Sequence, residues 1–219
     1  MTAATRRTRV CGHRRLTGLR AGGPGPAHGG QRHGVPVRSI NAIGYFGDAI
    51  GKRELAMPVR RVLITGASKG IGRAVADRVA RAGNVAIGLA RTAPADFPDE
   101  FMAVDLSDVA ATAAVLDSVV ASGRVDAVVN NFGYSRWGAL GEIDLSDLMP
   151  TYDLNVRVAV QVTQAVLPGM LAGNWGRIVN VTSLVTLGTA RRTPYAAAKA
   201  ALEAATRTGR VSWRSRISR

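Results

Sequence analysis

The sequence predicts an α/β fold: a Rossmann-type, doubly wound parallel sheet over residues 57–207. Two observations lead there. Short apolar runs alternate with helix-period segments from Arg61 onward, and a glycine-rich loop joins the first run to the first helix. The same stretch is also nearly balanced in charge, although the chain as a whole carries +14 over 219 residues.

The elements follow in order. Residues 62–65 (VLIT) are a β-branched, apolar strand, and RAVADRVARAG after the loop repeats its apolar positions at helical spacing. Residues 85–90 (VAIGLA) and 101–104 (FMAV) read as the second and third strands. A helix over 108–120 follows, with Ser107 as its expected cap. Residues 125–130 (VDAVVN) form a fourth strand, 148–171 a long helix, 176–183 (GRIVNVTS) a fifth strand, and 194–206 an alanine-rich helix. Strands separated by helices imply parallel pairing through right-handed crossovers.

Charge position matters more than total charge. Residues 1–56 hold ten basic and two acidic side chains, residues 200–219 five and one, and residues 57–199 fourteen and twelve. The basic character therefore belongs to the ends. Residues 1–56 are rich in Arg, Gly, Pro and His without apolar periodicity, so a disordered basic extension is expected, with Met57 the functional start. Neither a presequence nor a twin-arginine signal fits. No apolar segment follows Arg6-Arg7, and Gly22, Gly23, Pro24 and Pro26 interrupt a targeting helix. Residues 208–219 are expected to be a disordered basic tail.

Other classes are argued against directly. No apolar stretch approaches the roughly 20 residues of a spanning helix. One cysteine, Cys11, supports neither an internal disulfide nor a zinc site, and suits a reducing, cytoplasmic setting. Nucleic-acid binding would rest on the basic ends alone, without interleaved aromatics.

Gly66, Gly70 and Gly72 stand as TGxxxGxG between strand and helix. Missing side chains there permit a tight turn and bring backbone amides to a pyrophosphate at the helix N-terminus. No Lys-Ser or Lys-Thr pair follows the last glycine, which argues against a P-loop nucleotide triphosphatase.

Further motifs arrive in a fixed order: TGASKGIG at 65–72, Asp105 in VDLSD, NNFG at 130–133, Asn155 in LNV, Ser183 at the end of the fifth strand, and Tyr195 to Lys199 as YxxxK. Over about residues 60–205 this order resembles the short-chain dehydrogenase/reductase family, and its 3-oxoacyl-acyl-carrier-protein reductase-like branch. The resemblance implies an oxidoreductase that interconverts a carbonyl and an alcohol by hydride transfer. It implies a catalytic set of Asn155, Ser183, Tyr195 and Lys199. It also implies cofactor contacts from Gly66, Ser68, Lys69, Gly70, Ile71, Gly72, Arg91, Asp105, Leu106, Asn131, Tyr195 and Lys199. Within it, Lys199 holds the nicotinamide ribose and Asn155 anchors a water of the proton path. Phe132 departs from the family's usual alanine, at a position beside the cofactor.

The residue chemistry agrees. Tyr195 and Lys199 are four apart, hence on one helical face, and an ammonium beside a phenol is expected to lower its pKa from about 10. Tyr195 then serves as acid and Ser183 as second donor to the oxygen that gains charge. No acid ends the second strand; Arg91 follows Ala90 and Lys69 lies in the loop, so NADP(H) is the expected cofactor, with NAD(H) the alternative.

Only 20 residues follow Lys199. Family members continue with two further strands and a substrate-covering segment, so a truncated product is expected, its fifth strand an open edge. Two alternatives stand beside the enzyme: a catalytically impaired dinucleotide-binding fragment, and nucleic-acid binding through the basic ends. The expected partner is a small-molecule carbonyl or alcohol, and the family resemblance further implies pairing of two copies of the chain through the long fifth and sixth helices; a membrane is not among the expected partners.

Overall fold

The computed structural model describes residues 58–217, and side chains as far as 210. The expectations for Cys11, Met57 and the 1–56 extension lie outside the described residues.

Five parallel strands form one sheet in the order β3-β2-β1-β4-β5. They are β1 (Arg61–Thr65), β2 (Val85–Ala90), β3 (Glu100–Ala103), β4 (Ala127–Asn130) and β5 (Arg177–Asn180). Helices α1 (Gly70–Arg81), α2 (Val109–Ala121), α3 (Leu145–Tyr152), α4 (Val158–Ala172) and α5 (Thr193–Ile217) connect and follow them. The strand order reverses between β1 and β4, and ligands of such sheets bind outside the strand C-termini at that point.

The core follows from strand composition. Leu63, Ile87, Leu89 and Val128 are fully buried and meet Leu116, Val119, Val162, Val166 and Met170 from the helices on one face. On the other face Val62, Ile64 and Ala86 meet Ala76 of α1. Strands buried on both faces need continuous apolar runs, which is why VLIT and VAIGLA do not alternate. Each such Leu or Ile contributes about 1.5–3 kcal/mol on burial. Gly88 leaves room for the edge-to-face pair of Phe97 and Phe101, whose ring centroids are 4.9 Å apart; an added Cβ would lie 2.6 Å from Phe97.

Several boundaries differ from the sequence expectation. Asp108, not Ser107, caps α2: its carboxylate accepts from the Ala111 amide at 2.9 Å, while Ser107 donates to Asp105. β4 begins at Ala127 rather than 125, because the Asp126 carboxylate accepts from the Arg61 amide and from the Arg60 and Arg124 guanidiniums. The long helix opens earlier, at Leu145, and passes through a π segment at Asp153–Arg157. β5 ends at Asn180, and Ser183 lies beyond it as the cap of a 3₁₀ turn, Leu184–Leu187. α5 runs on to Ile217, so residues 208–217 are helical where a disordered tail is expected. A nucleated helix extends at little cost per residue, and Gly209 alone does not stop it. No helix of the described residues is long and apolar enough to cross a membrane.

Candidate active site

The glycine loop is fixed by geometry at each end. Gly66 has φ 67° and Gly70 φ 60°, conformations that L side chains rarely adopt. Gly72 is required for a different reason: a Cβ there would sit 2.3 Å from the Gly66 carbonyl oxygen. The first turn of α1 thus packs directly on the loop.

The loop is joined to β4 across the switch point. Thr65 Oγ1 accepts from the amides of Asn131 (3.1 Å) and Phe132 (3.0 Å). Asn131 Nδ2 in turn donates to the carbonyls of Thr65 (3.1 Å) and Gly66 (3.2 Å). Asn131 therefore braces the loop as well as lining the space above it. Phe132 packs its ring against the main core cluster.

Above these strand ends lies a cavity of about 740 Å³, lined by Gly66, Ser68, Lys69, Arg91, Asp105, Leu106, Asn131, Phe132, Gly133 and Tyr134 among others. Its volume lies within the range of cofactor sites. Lys69 and Arg91 are exposed on its rim. Asp105 is held below the usual carboxylate range, first by the Ser107 amide and hydroxyl and then by the Arg91 charge. Leu106 is buried beneath it. Gly70 and Gly72 shape the loop without lining the cavity, and Ile71, 63% exposed, sits in the first turn of α1 outside it.

Asn155, Ser183, Tyr195 and Lys199 do not line this cavity; Asn155 and Lys199 meet behind its Gly133 wall. Asn155 is buried in the π segment; its Nδ2 donates to the carbonyls of Tyr134 (2.6 Å) and Thr151 (2.7 Å), and its Oδ1 accepts from the Tyr134 amide (3.3 Å). A widened helical turn commonly marks a functional residue, and this one turns Asn155 toward the strand ends. Lys199 is buried and its Nζ donates to the Val181 carbonyl at 2.8 Å. Gly133 is where the two approach: a Cβ on it would be 2.9 Å from Asn155 Oδ1 and 3.2 Å from Lys199 Nζ. Ser183 stands close enough to the Tyr195 phenol to act on its pKa, and its hydroxyl accepts from the Val185 amide at 3.4 Å.

The charges differ from expectation. Burial raises the Tyr195 pKa above the ordinary phenol value, outweighing the Ser183 hydroxyl and the nearby Arg192, both of which pull it down. Lys199 Nζ lies 5.7 Å from the Tyr195 ring centre. Its own burial lowers its pKa to about 8. The expected lowering of the phenol by the ammonium is thus reversed, since desolvation acts on both partners. A phenol that stays protonated at neutral pH is suited to donate to an oxygen gaining negative charge.

Sequence reasoning missed three contributors: Thr65, Tyr134 and Arg192. Thr65 was legible as the first residue of the loop motif, and Arg192 as half of an arginine pair three residues before Tyr195; Tyr134 carried no signal.

The described residues resemble known proteins throughout. The family model for short chain dehydrogenases matches residues 60–217. The 3-oxoacyl-[acyl-carrier-protein] reductase FabG of Pseudomonas aeruginosa is 35% identical over 158 residues, covering 66% of this chain and 64% of that protein. The L-xylulose reductase of Mesocricetus auratus is 35% identical over 164 residues, covering 70% and 66%. The crystal structure of a gluconate 5-dehydrogenase from Burkholderia cenocepacia, in complex with NADP and tartrate, superposes with a TM-score of 0.67 at 29% identity, covering 74% and 68%. The chain spans a little under two thirds of the length of FabG and of the xylulose reductase. The chain belongs to the short chain dehydrogenase family.

Proposed function

We propose that this protein is an NADP(H)-dependent oxidoreductase that interconverts a carbonyl and an alcohol. One observation carries the reading. Ser183 stands next to the Tyr195 phenol, Lys199 lies beside the Tyr195 ring, and Lys199 meets Asn155 at Gly133, a wall of the 740 Å³ cavity that opens on the glycine loop.

The residues present fit a dinucleotide. Gly66 to Gly72 and the α1 N-terminus offer amides to a pyrophosphate, with Ser68 beside them. Asp105 and Leu106 would hold the adenine, and Lys69 with Arg91 would pair with a 2′-phosphate. Lys199 would hold the nicotinamide ribose. When bound, the reduced dinucleotide supplies the hydride.

The chain's own residues do the rest. Ser183 donates to the substrate oxygen and holds it against the phenol. Tyr195 gives up its proton as that oxygen becomes an alkoxide. Lys199, poised near neutrality, keeps a positive charge close to the phenolate so formed. Asn155 braces the Tyr134 backbone through both atoms of its side-chain amide.

The site's small-molecule partner is thus a carbonyl or alcohol. Self-association is proposed through α4 and α5, supported by an apolar groove of about 290 Å³ lined by Ala159, Val160, Leu167, Ile178 and Leu202. The single cysteine supports a cytoplasmic setting.

The test is NADPH oxidation across ketones and 3-oxoacyl thioesters. Turnover by the wild type, reduced at least hundredfold in Tyr195→Phe with NADPH binding retained, is the expected result. NADPH binding without turnover on any substrate would select a dinucleotide-binding protein instead.

A further inference from the structure

Arg192 immediately precedes α5, three residues before Tyr195, and its charge is near enough to act on the Tyr195 phenol. Its carbonyl accepts from the Ala196 amide at 2.8 Å, so it occupies the helix start. A cation there runs against the helix dipole, and the first turn of α5 contains no acid to offset it. Such an arrangement concentrates positive potential beside the phenol.

The side chain is held in place. Its Nη1 donates to Ser135 Oγ at 2.7 Å, and its guanidinium lies over the Trp137 ring at 3.6 Å from the centroid. The backbone is clamped as well: the Gly138 amide donates to the Arg191 carbonyl (3.0 Å) and the Thr193 amide to the Gly138 carbonyl (3.2 Å). Arg191 adopts φ 58°, an uncommon conformation for a residue with a side chain, and this turn delivers Arg192 to its position.

Neighbouring cations are neutralised and Arg192 is not. Arg191 pairs with Glu142 at 3.2 Å, and Arg136 with Asp147 at 3.1 Å. Among the described residues no carboxylate pairs with Arg192. Its planar fork uses one N–H on Ser135, and the remaining donors suit a carboxylate bidentately. A side chain rich in rotamers, fixed in advance by an indole and a hydroxyl, is pre-organised for binding.

We infer that Arg192 determines substrate specificity at this site, selecting oxo acids and hydroxy acids whose carboxylate lies a few bonds from the reacting carbon. The inference rests on the carbonyl–alcohol reading of the same site. The carboxylate takes no part in bond changes; it orients the carbonyl toward Tyr195 and Ser183. Trp137, 66% exposed, forms the outer wall of that subsite.

The experiment compares acids with their esters: acetoacetate with ethyl acetoacetate, and levulinate with ethyl levulinate. The readout is the acid-to-ester ratio of kcat/KM, which cancels any change that loss of the Arg192 charge imposes on Tyr195 for both substrates. The wild type should favour at least one acid tenfold or more, Arg192→Gln should lower that ratio at least tenfold, and Arg192→Lys should retain part of it. A ratio near one in the wild type, or one unchanged in Arg192→Gln, overturns the inference. Calorimetric binding of 3-hydroxybutyrate and its ethyl ester in the presence of NADP separates the two readings. A preference for the acid that Arg192→Gln abolishes, without turnover, supports the anion subsite and defeats the reductase. Turnover without any preference for the acids does the reverse, and neither preference nor turnover defeats both.

Discussion

Replacing Lys199 by Met should remove a pH dependence from folding stability. Lys199 is 1% exposed, and burial brings its pKa from the ordinary 10.5 to about 8. Between those values the unfolded chain binds more protons than the folded one, so stability rises with pH. The contribution is fully present above 10.5 and is lost as pH falls through about 8. Its size, from the gap between the two values, is about 3 kcal/mol. Lys199→Met forgoes that gain, and at pH 7 it also escapes the cost of burying the charge. Against this stands the Val181 carbonyl, deprived of its 2.8 Å partner, at about 1–3 kcal/mol. The variant should therefore match or exceed wild-type stability at pH 7 and fall below it by pH 10. Urea unfolding without cofactor from pH 7 to 10 measures both curves, and groups common to the two proteins cancel in the difference. Parallel curves would refute the reasoning, because they would mean that Lys199 titrates alike in folded and unfolded chains.

Three further outcomes are expected. Gly72→Ala, whose Cβ would meet the Gly66 carbonyl at 2.3 Å, should destabilise the protein by about 1–3 kcal/mol and weaken NADPH binding, measured by urea unfolding and fluorescence titration. Arg91→Ala should weaken NADPH binding by roughly tenfold to a hundredfold, the worth of about 1.5–3 kcal/mol for a charge-assisted contact, with a much smaller effect on NADH. Because burial raises the Tyr195 pKa, kcat/KM for carbonyl reduction should hold through neutral pH and fall only above the ordinary phenol range, while alcohol oxidation should climb with pH over the same interval. A reduction profile that falls already at pH 7 would contradict the last.

Much of the fold was legible because its signals are local. An apolar β-branched run such as VLIT has one comfortable home in a parallel sheet, and a glycine triad between strand and helix has one economical geometry. Features set by distant partners were not legible. The Asp126 carboxylate takes three donors from Arg60, Arg61 and Arg124, which moves the start of β4 by two residues from a plausible apolar run. The π segment around Asn155 and the 3₁₀ turn after Ser183 have no periodicity of their own. The candidate site shows the same division. Spacing placed Tyr195 and Lys199 on one face, but the direction of the phenol's pKa depended on burial, which no spacing reports. Ser107 and Asp108 are both good caps on composition, and only the Asp105 carboxylate, which takes the Ser107 hydroxyl at 2.7 Å, decides between them.

Hydride delivery coupled to the Tyr195 proton is tested most directly by NADPH carrying deuterium at the transferable C4 position. Mass spectrometry of the alcohol formed by the wild-type chain should show one deuterium on the carbinol carbon, and Tyr195→Phe should form at most a hundredth as much labelled alcohol in the same time. Unlabelled alcohol, or labelled alcohol formed equally fast by the Tyr195→Phe protein, would contradict the account.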